Sequence, residues 1–123
     1  MQCPKCHSVM APVTHSGCVV HRCTQCAGMW FEPLDHERLK DAAAEIDTGD
    51  AEIGARYNHI DRIECPRCAH WQLIRMVDAQ QPHIWFESCK HCYGRFYDAG
   101  EFRDFADHSL AKFFDDLTAP ERQ

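Results

Sequence analysis

The sequence predicts a small, metal-stabilised α+β protein made of two similar halves, and three observations predict it. Four Cys-x-x-Cys pairs, Cys3/Cys6, Cys23/Cys26, Cys65/Cys68 and Cys89/Cys92, fall within 123 residues. The pairs repeat in register: Cys3-Pro4-Lys5-Cys6 aligns with Cys65-Pro66-Arg67-Cys68, and the second pair follows after 16 or 20 intervening residues. Beyond them Gly28, Trp30, Phe31, Glu32, Asp35 and Leu39 align with Gly94, Phe96, Tyr97, Asp98, Glu101 and Phe105.

Each pair presents two thiolates to one ion, and two pairs across a hairpin complete a tetrahedral four-sulfur site. The ligands expected for one zinc are therefore Cys3, Cys6, Cys23 and Cys26, and for a second Cys65, Cys68, Cys89 and Cys92. A duplicated unit closes its own site; an interleaved arrangement, with one pair from each half, is the alternative. Iron also accepts four cysteinates, and spacing does not separate it from zinc. A unit of about 40 residues is near the size below which a hydrophobic core alone seldom holds a fold. Structural zinc contributes about 10–16 kcal/mol at neutral pH. Nine cysteines is an odd number for a disulfide scaffold. The opening Met1-Gln2-Cys3 carries no charged leader, and no apolar run is long enough to span a bilayer. The expectation is a cytoplasmic chain with reduced thiols.

The elements follow in the same order twice. Met10 to His15 and Cys18 to Arg22 read as strands around the Ser16-Gly17 turn, and Gln72 to Asp78 with His83 to Ser88 repeat the hairpin. Each aromatic dipeptide, Trp30-Phe31 or Phe96-Tyr97, predicts a third short strand. A helix then starts: Asp98 to Glu101 has the spacing of a capping box, and Glu32 to Asp35 is a weaker copy with Pro33 in the first turn. The first helix is expected to reach Ile46, with Leu39, Ala42, Ala43 and Ile46 on one stripe. In the second, Phe102, Phe105, Ala106, Leu110, Phe113, Phe114 and Leu117 fall at helical spacing over about four turns. That stripe either packs between the halves or meets a partner, a second copy included. Ile53, Tyr57 and Ile60 suggest a short helix in the connector.

Cys-Pro-Lys-Cys, a hairpin, Cys-Thr-Gln-Cys-Ala-Gly-Met-Trp-Phe-Glu and a helix together resemble the bacterial transcription-factor-IIB-type zinc-ribbon family. Cys-Pro-Arg-Cys followed by Cys-Lys-His-Cys-Tyr-Gly-Arg-Phe-Tyr-Asp-Ala-Gly-Glu-Phe resembles a second copy. The resemblance covers residues 1–46 and 63–106 and implies that the eight paired cysteines are the metal ligands. It departs from the family's usual Gly-Gly after the knuckle, with Ala27-Gly28 and Tyr93-Gly94, and has Leu34-Asp35 where the second copy keeps Gly100-Glu101. The plan is two tandem zinc ribbons, each a short antiparallel sheet with two knuckles and a helix. The first ribbon with its helix spans 1–46, the linker 47–62, the second ribbon with a longer C-terminal helix 63–117, and a tail 118–123.

The formal charge is −6, and two four-thiolate zinc sites take it to about −10. Neutralising phosphate needs a basic face. The best local patch is Arg67, Lys90 and Arg95, with Arg75 and Trp85 near it and Trp71 and Trp85 as stacking rings. The plainer reading is that these cations offset their own zinc site. A catalytic zinc keeps an open position, whereas four sulfurs close each site; His7, His70 and His91 read as knuckle surface residues and Cys18 as an idle thiol. The sequence therefore predicts a non-enzymatic, zinc-binding interaction or regulatory module. Its candidate partner surface is Phe102, Phe105, Leu110, Phe113, Phe114 and Leu117, for a protein partner or a homodimer. A nucleic-acid-binding, transcription-related factor is the alternative. A redox- or zinc-responsive role for the thiolates is a more distant one.

Overall fold

A computed structural model describes residues 1–107. The first half contains β1 (Met10–His15), β2 (Cys18–Cys23) and β3 (Met29–Phe31), then α1 (Asp35–Arg38), a 3-10 turn (Lys40–Ala42) and α2 (Ala43–Ile46). After α3 (Ala51–Tyr57) in the connector, the second half contains β4 (Ile74–Val77), β5 (Trp85–Ser88), β6 (Arg95–Tyr97) and α4 (Glu101–Ala106).

The expected two small sheets are one. The six strands run in the order β1-β2-β3-β6-β5-β4, and the halves join where β3 pairs antiparallel with β6, Trp30 opposite Phe96. Strand alternation explains the join. Successive side chains point to opposite faces, so two adjacent aromatics make a strand apolar on both. Trp30 and Phe96 enter the core on the metal side, among Met10, Ile63, Leu73 and the ligand cysteines. Phe31 and Tyr97 enter the core on the helix side. A strand buried on both faces belongs in the middle of a sheet, and each half supplies one.

Two glycines lock the join. A Cβ on Gly28 would sit 2.4 Å from the Phe96 ring, and one on Gly94 would sit 2.2 Å from the Trp30 ring. Each half's glycine thus makes room for the other half's aromatic.

The helices cover the opposite face. Leu39, Ala42, Ala43 and Ile46 are all buried as the stripe predicts, but the single helix expected there bends at Leu39 and at Ala42 into three short pieces. Phe102 and Phe105 are 0% and 3% exposed, packed with Phe31 and Tyr97 in the core shared by the halves. They are therefore not an outward partner surface: the fused sheet presents a face wide enough to take them. Of the helix predicted across 102–117, the described residues contain α4, which ends at Ala106 with Asp107 extended. Asp107 is a weak helix former. Leu110, Phe113, Phe114 and Leu117 lie outside the described residues.

The Asp98 side chain does not cap α4; it pairs with Lys5. Gly100, at φ +83°, is the N-cap of α4 and has no side chain to offer. The fully buried Asp47 of the connector caps the helix instead, accepting from the backbone N–H groups of Gly100 and Arg103, each at 3.0 Å. At the other end of the connector, Arg75 donates to the carbonyls of Asn58 and Ile60, a placement suited to the negative end of α3.

Candidate metal centres

Hairpin ends bring the knuckles together. β1 and β2 pair from Met10 opposite Cys23 to His15 opposite Cys18, so the loop carrying Cys3 and Cys6 and the turn carrying Cys23 and Cys26 meet at one end. β4 and β5 do the same for Cys65, Cys68, Cys89 and Cys92. Each knuckle turns through a residue of positive φ: His7, Ala27, His70 and Tyr93 lie between +61° and +70°.

The eight cysteines form two groups of four, each drawn from one half, with all sulfurs of a group within 4.8 Å of one another. The interleaved arrangement is not adopted. All nine cysteines are free thiols. A tetrahedral ion with metal–sulfur bonds of about 2.3 Å has sulfur–sulfur edges of about 3.8 Å. Cys3 Sγ and Cys26 Sγ lie 3.8 Å apart, as do Cys65 Sγ and Cys92 Sγ, while Cys6 and Cys23 are closer at 3.2 Å. The donor set and its dimensions fit zinc.

Backbone N–H groups complete the fit. The N–H groups of Gln25 and Cys26 point at Cys23 Sγ, both at 3.4 Å. Those of Arg67 and Cys68 point at Cys65 Sγ, and those of His91 and Cys92 at Cys89 Sγ. Such donors favour the thiolate over the thiol. Burial works the other way and pushes the Cys65 and Cys23 thiols up. The hydrogen bond from Cys26 brings Cys3 down to about 5, at the cost of a raised Cys26. A divalent ion supplies the counter-charge that allows all four sulfurs to ionise.

No histidine joins either group among the described residues. Cys18 lies in β2, half-buried against the helix-side core and away from both sites.

Residues 2–42 match a family model described as Transcription factor zinc-finger. They form a zinc ribbon. The match takes in the first half's four ligands, its three strands and the start of its helical layer. For the second half, the matching four-cysteine group suggests the same unit. Each group can hold one zinc ion. No curated protein and no solved structure matches the chain. No helix among the described residues is long and apolar enough to cross a membrane.

The cations singled out from the sequence are mostly engaged. Arg67 pairs with Glu32 of the first ribbon. Arg95 lies 4.1 Å over the Phe86 ring and donates to the Tyr97 hydroxyl. Arg75 lies over Trp85 and holds the connector. Lys90 is exposed.

The residue that sequence reasoning missed is Lys5, inside the first knuckle. Its ammonium is fully buried and directs its three donors to three acceptors: Asp98 Oδ2 at 2.8 Å, Glu87 Oε1 at 2.9 Å and the Tyr57 carbonyl at 2.9 Å. Both carboxylates belong to the second half. A lysine between two ligands reads as a partner for its own metal site, so only the fused sheet reveals where it goes. One signal was available: Glu87 interrupts the apolar run Ile84-Trp85-Phe86 within a strand, which calls for a buried counter-charge.

Proposed function

We propose that the protein is a non-enzymatic, cytoplasmic module of two tandem zinc ribbons that holds a partner protein, and that the knuckle end of the second ribbon is the contact. The observation that carries this reading is an internal comparison. Cys3 N–H bonds to the Ser8 carbonyl and Cys65 N–H to the Trp71 carbonyl, so Trp71 occupies the place of Ser8. By the same test Tyr93 occupies the place of Ala27, both at φ +61°. The first ribbon meets the needs of the turn with small side chains. The second carries Trp71, 46% exposed, and Tyr93, 64% exposed, with Lys90 and His91 where the first has Thr24 and Gln25. Large aromatics that the fold does not require, on rigid turns and beside a cation, are the composition of contact hot spots. Four sulfurs closing each site support a structural role for the metal.

A photo-crosslinking residue at Tyr93, compared with one at exposed Val77 on the far sheet edge, tests the reading in the native cell. A discrete adduct from position 93 that Trp71→Ala abolishes supports it. Adducts of equal yield from both positions, or none from position 93, reject it.

Nucleic acid is the second reading, favoured by one observation: the Trp71 ring stacks on His91 at 4.8 Å and 22°, a platform that a base could extend. Net charge of −6 and the engagement of Arg67 and Arg95 count against it. Titration with single-stranded oligonucleotides across salt concentration decides; affinity that is absent at low salt removes the reading.

A further inference from the structure

We propose that the two metal sites are thermodynamically coupled through Lys5, so that filling one raises the zinc affinity of the other. Lys5 lies in the first knuckle between two ligands of the first site, Cys3 and Cys6, whose group of four sulfurs closes around one ion. Metal at that site therefore fixes the stretch of backbone from which the side chain departs. The ammonium ends in the second half, on Glu87, two residues before the ligand Cys89, and on Asp98, immediately after β6.

The environment makes the contact consequential. The side chains of Lys5, Glu87 and Asp98 are 0%, 4% and 5% exposed. Removing one partner of such a group leaves uncompensated charge in a low-dielectric interior, whereas an exposed pair has water to replace it. When the first knuckle loses its ion, Lys5 loses its anchor, and two buried carboxylates lose their counter-charge beside the second site. Reciprocity follows from linkage: loss of the second ion loosens β5 and the acceptors of Lys5, and so the first knuckle.

The other links between halves are differently placed. The Asp47 cap joins elements on the helix side, while the β3–β6 pair buries residues in both cores, Trp30 and Phe96 among the ligand cysteines of both sites, and is the competing route that the Lys5 variants separate. Lys5 starts inside a metal loop. The reciprocal crossing, Arg67 to Glu32, starts inside the other metal loop with the same topology, but its side chains are 47% and 28% exposed. It is an internal control: same connection, little desolvation.

The test measures zinc affinity of the second site by competition with a chromophoric chelator, and Co²⁺ occupancy by its thiolate absorption. Both are read in the full chain and in Cys23→Ser/Cys26→Ser, which empties the first site while leaving the residues on either side of Lys5 intact. The ratio of the two affinities is the coupling, expected at about tenfold or more. In a Lys5→Met background the ratio falls to within about threefold of one. Should that variant fail to fold, Lys5→Met/Glu87→Gln/Asp98→Asn removes all three charges together and must give the same collapse. Arg67→Met keeps the original ratio. A ratio near one in the parent chain overturns the proposal. So does a ratio that survives the Lys5 variants, which assigns coupling to the sheet, or one that Arg67→Met abolishes equally.

Discussion

Replacing Asp47 tests how the connector holds the two halves in register. The carboxylate is fully buried and takes the two N–H groups that open α4. Each hydrogen bond to an ionised acceptor contributes about 1.5–3 kcal/mol, while a helix cap typically contributes about 1 kcal/mol. Burial pushes the Asp47 carboxyl up, and the two N–H groups pull it back only in part. The charge therefore costs something to hold, and the net value falls below the sum of two bonds. Asp47→Ala is expected to destabilise by about 2–3 kcal/mol. Asp47→Asn, whose single carbonyl satisfies one donor, should lose about 1 kcal/mol. Urea unfolding at fixed free zinc gives the energies, and hydrogen exchange at Gly100 and Arg103 shows where they arise. An alanine variant within about 0.5 kcal/mol of the parent would refute the reasoning. A large loss with undiminished protection of those two amides would refute it equally.

Three further outcomes are expected. Burial, and secondarily Arg95, pushes His36 from 6.5 down to about 4; the folded pKa is depressed, so the unfolded chain takes the proton first and stability falls as pH drops below 6.5. At pH 5.5 the loss is about 1.4 kcal/mol, and the difference between parent and His36→Leu in unfolding free energy between pH 7.5 and 5.5 should show it; parallel profiles would contradict this. Leu34 opens α1 at φ +70° with its side chain 59% exposed, where the second half uses Gly100, so Leu34→Gly should relieve strain and gain about 0.5–1 kcal/mol in thermal unfolding; a net loss would mean that the exposed leucine packs in solution. Exhaustive chelation should abolish the sheet's circular-dichroism signal together with about two equivalents of zinc, in line with the size of the metal's contribution; an intact sheet without metal would show that the shared aromatic core suffices.

Local structure was legible because it is written in short-range pattern. The hairpins, the third strands and the grouping of the cysteines follow from spacing, and the connector helix from Ile53 and Tyr57. What escaped was the relation between the halves. A repeat in sequence shows that two units are alike and is silent on whether they share a sheet. The clue lay in Trp30-Phe31 and Phe96-Tyr97: adjacent aromatics on a three-residue strand leave no face for solvent. The α4 cap was misassigned because Asp98 has the right spacing, yet its carboxylate meets a stronger claimant in Lys5. Asp47, 53 residues from Gly100, has no local signature at all.

Comparing the halves separates what the scaffold requires from what it carries. Positions with the same role in both, such as Gly28 and Gly94 or Trp30 and Phe96, are fixed by mutual packing, since each glycine seats the other half's ring. A change at either would be felt in both halves at once. Positions that differ answer to something else. Lys5 is buried where Arg67 is exposed, so the first knuckle is committed to the interior and the third is not. Trp71 and Tyr93 stand where Ser8 and Ala27 suffice, so the second half spends exposed aromatic surface that the turn geometry does not need. The two differences agree at the first knuckle pair of each half: Lys5 is buried across the seam, whereas Arg67 and Trp71 are exposed. The recognition surface proposed above would need rigid support, and the buried crossing from Lys5 reaches Glu87 in β5, the strand that leads into the ligand Cys89.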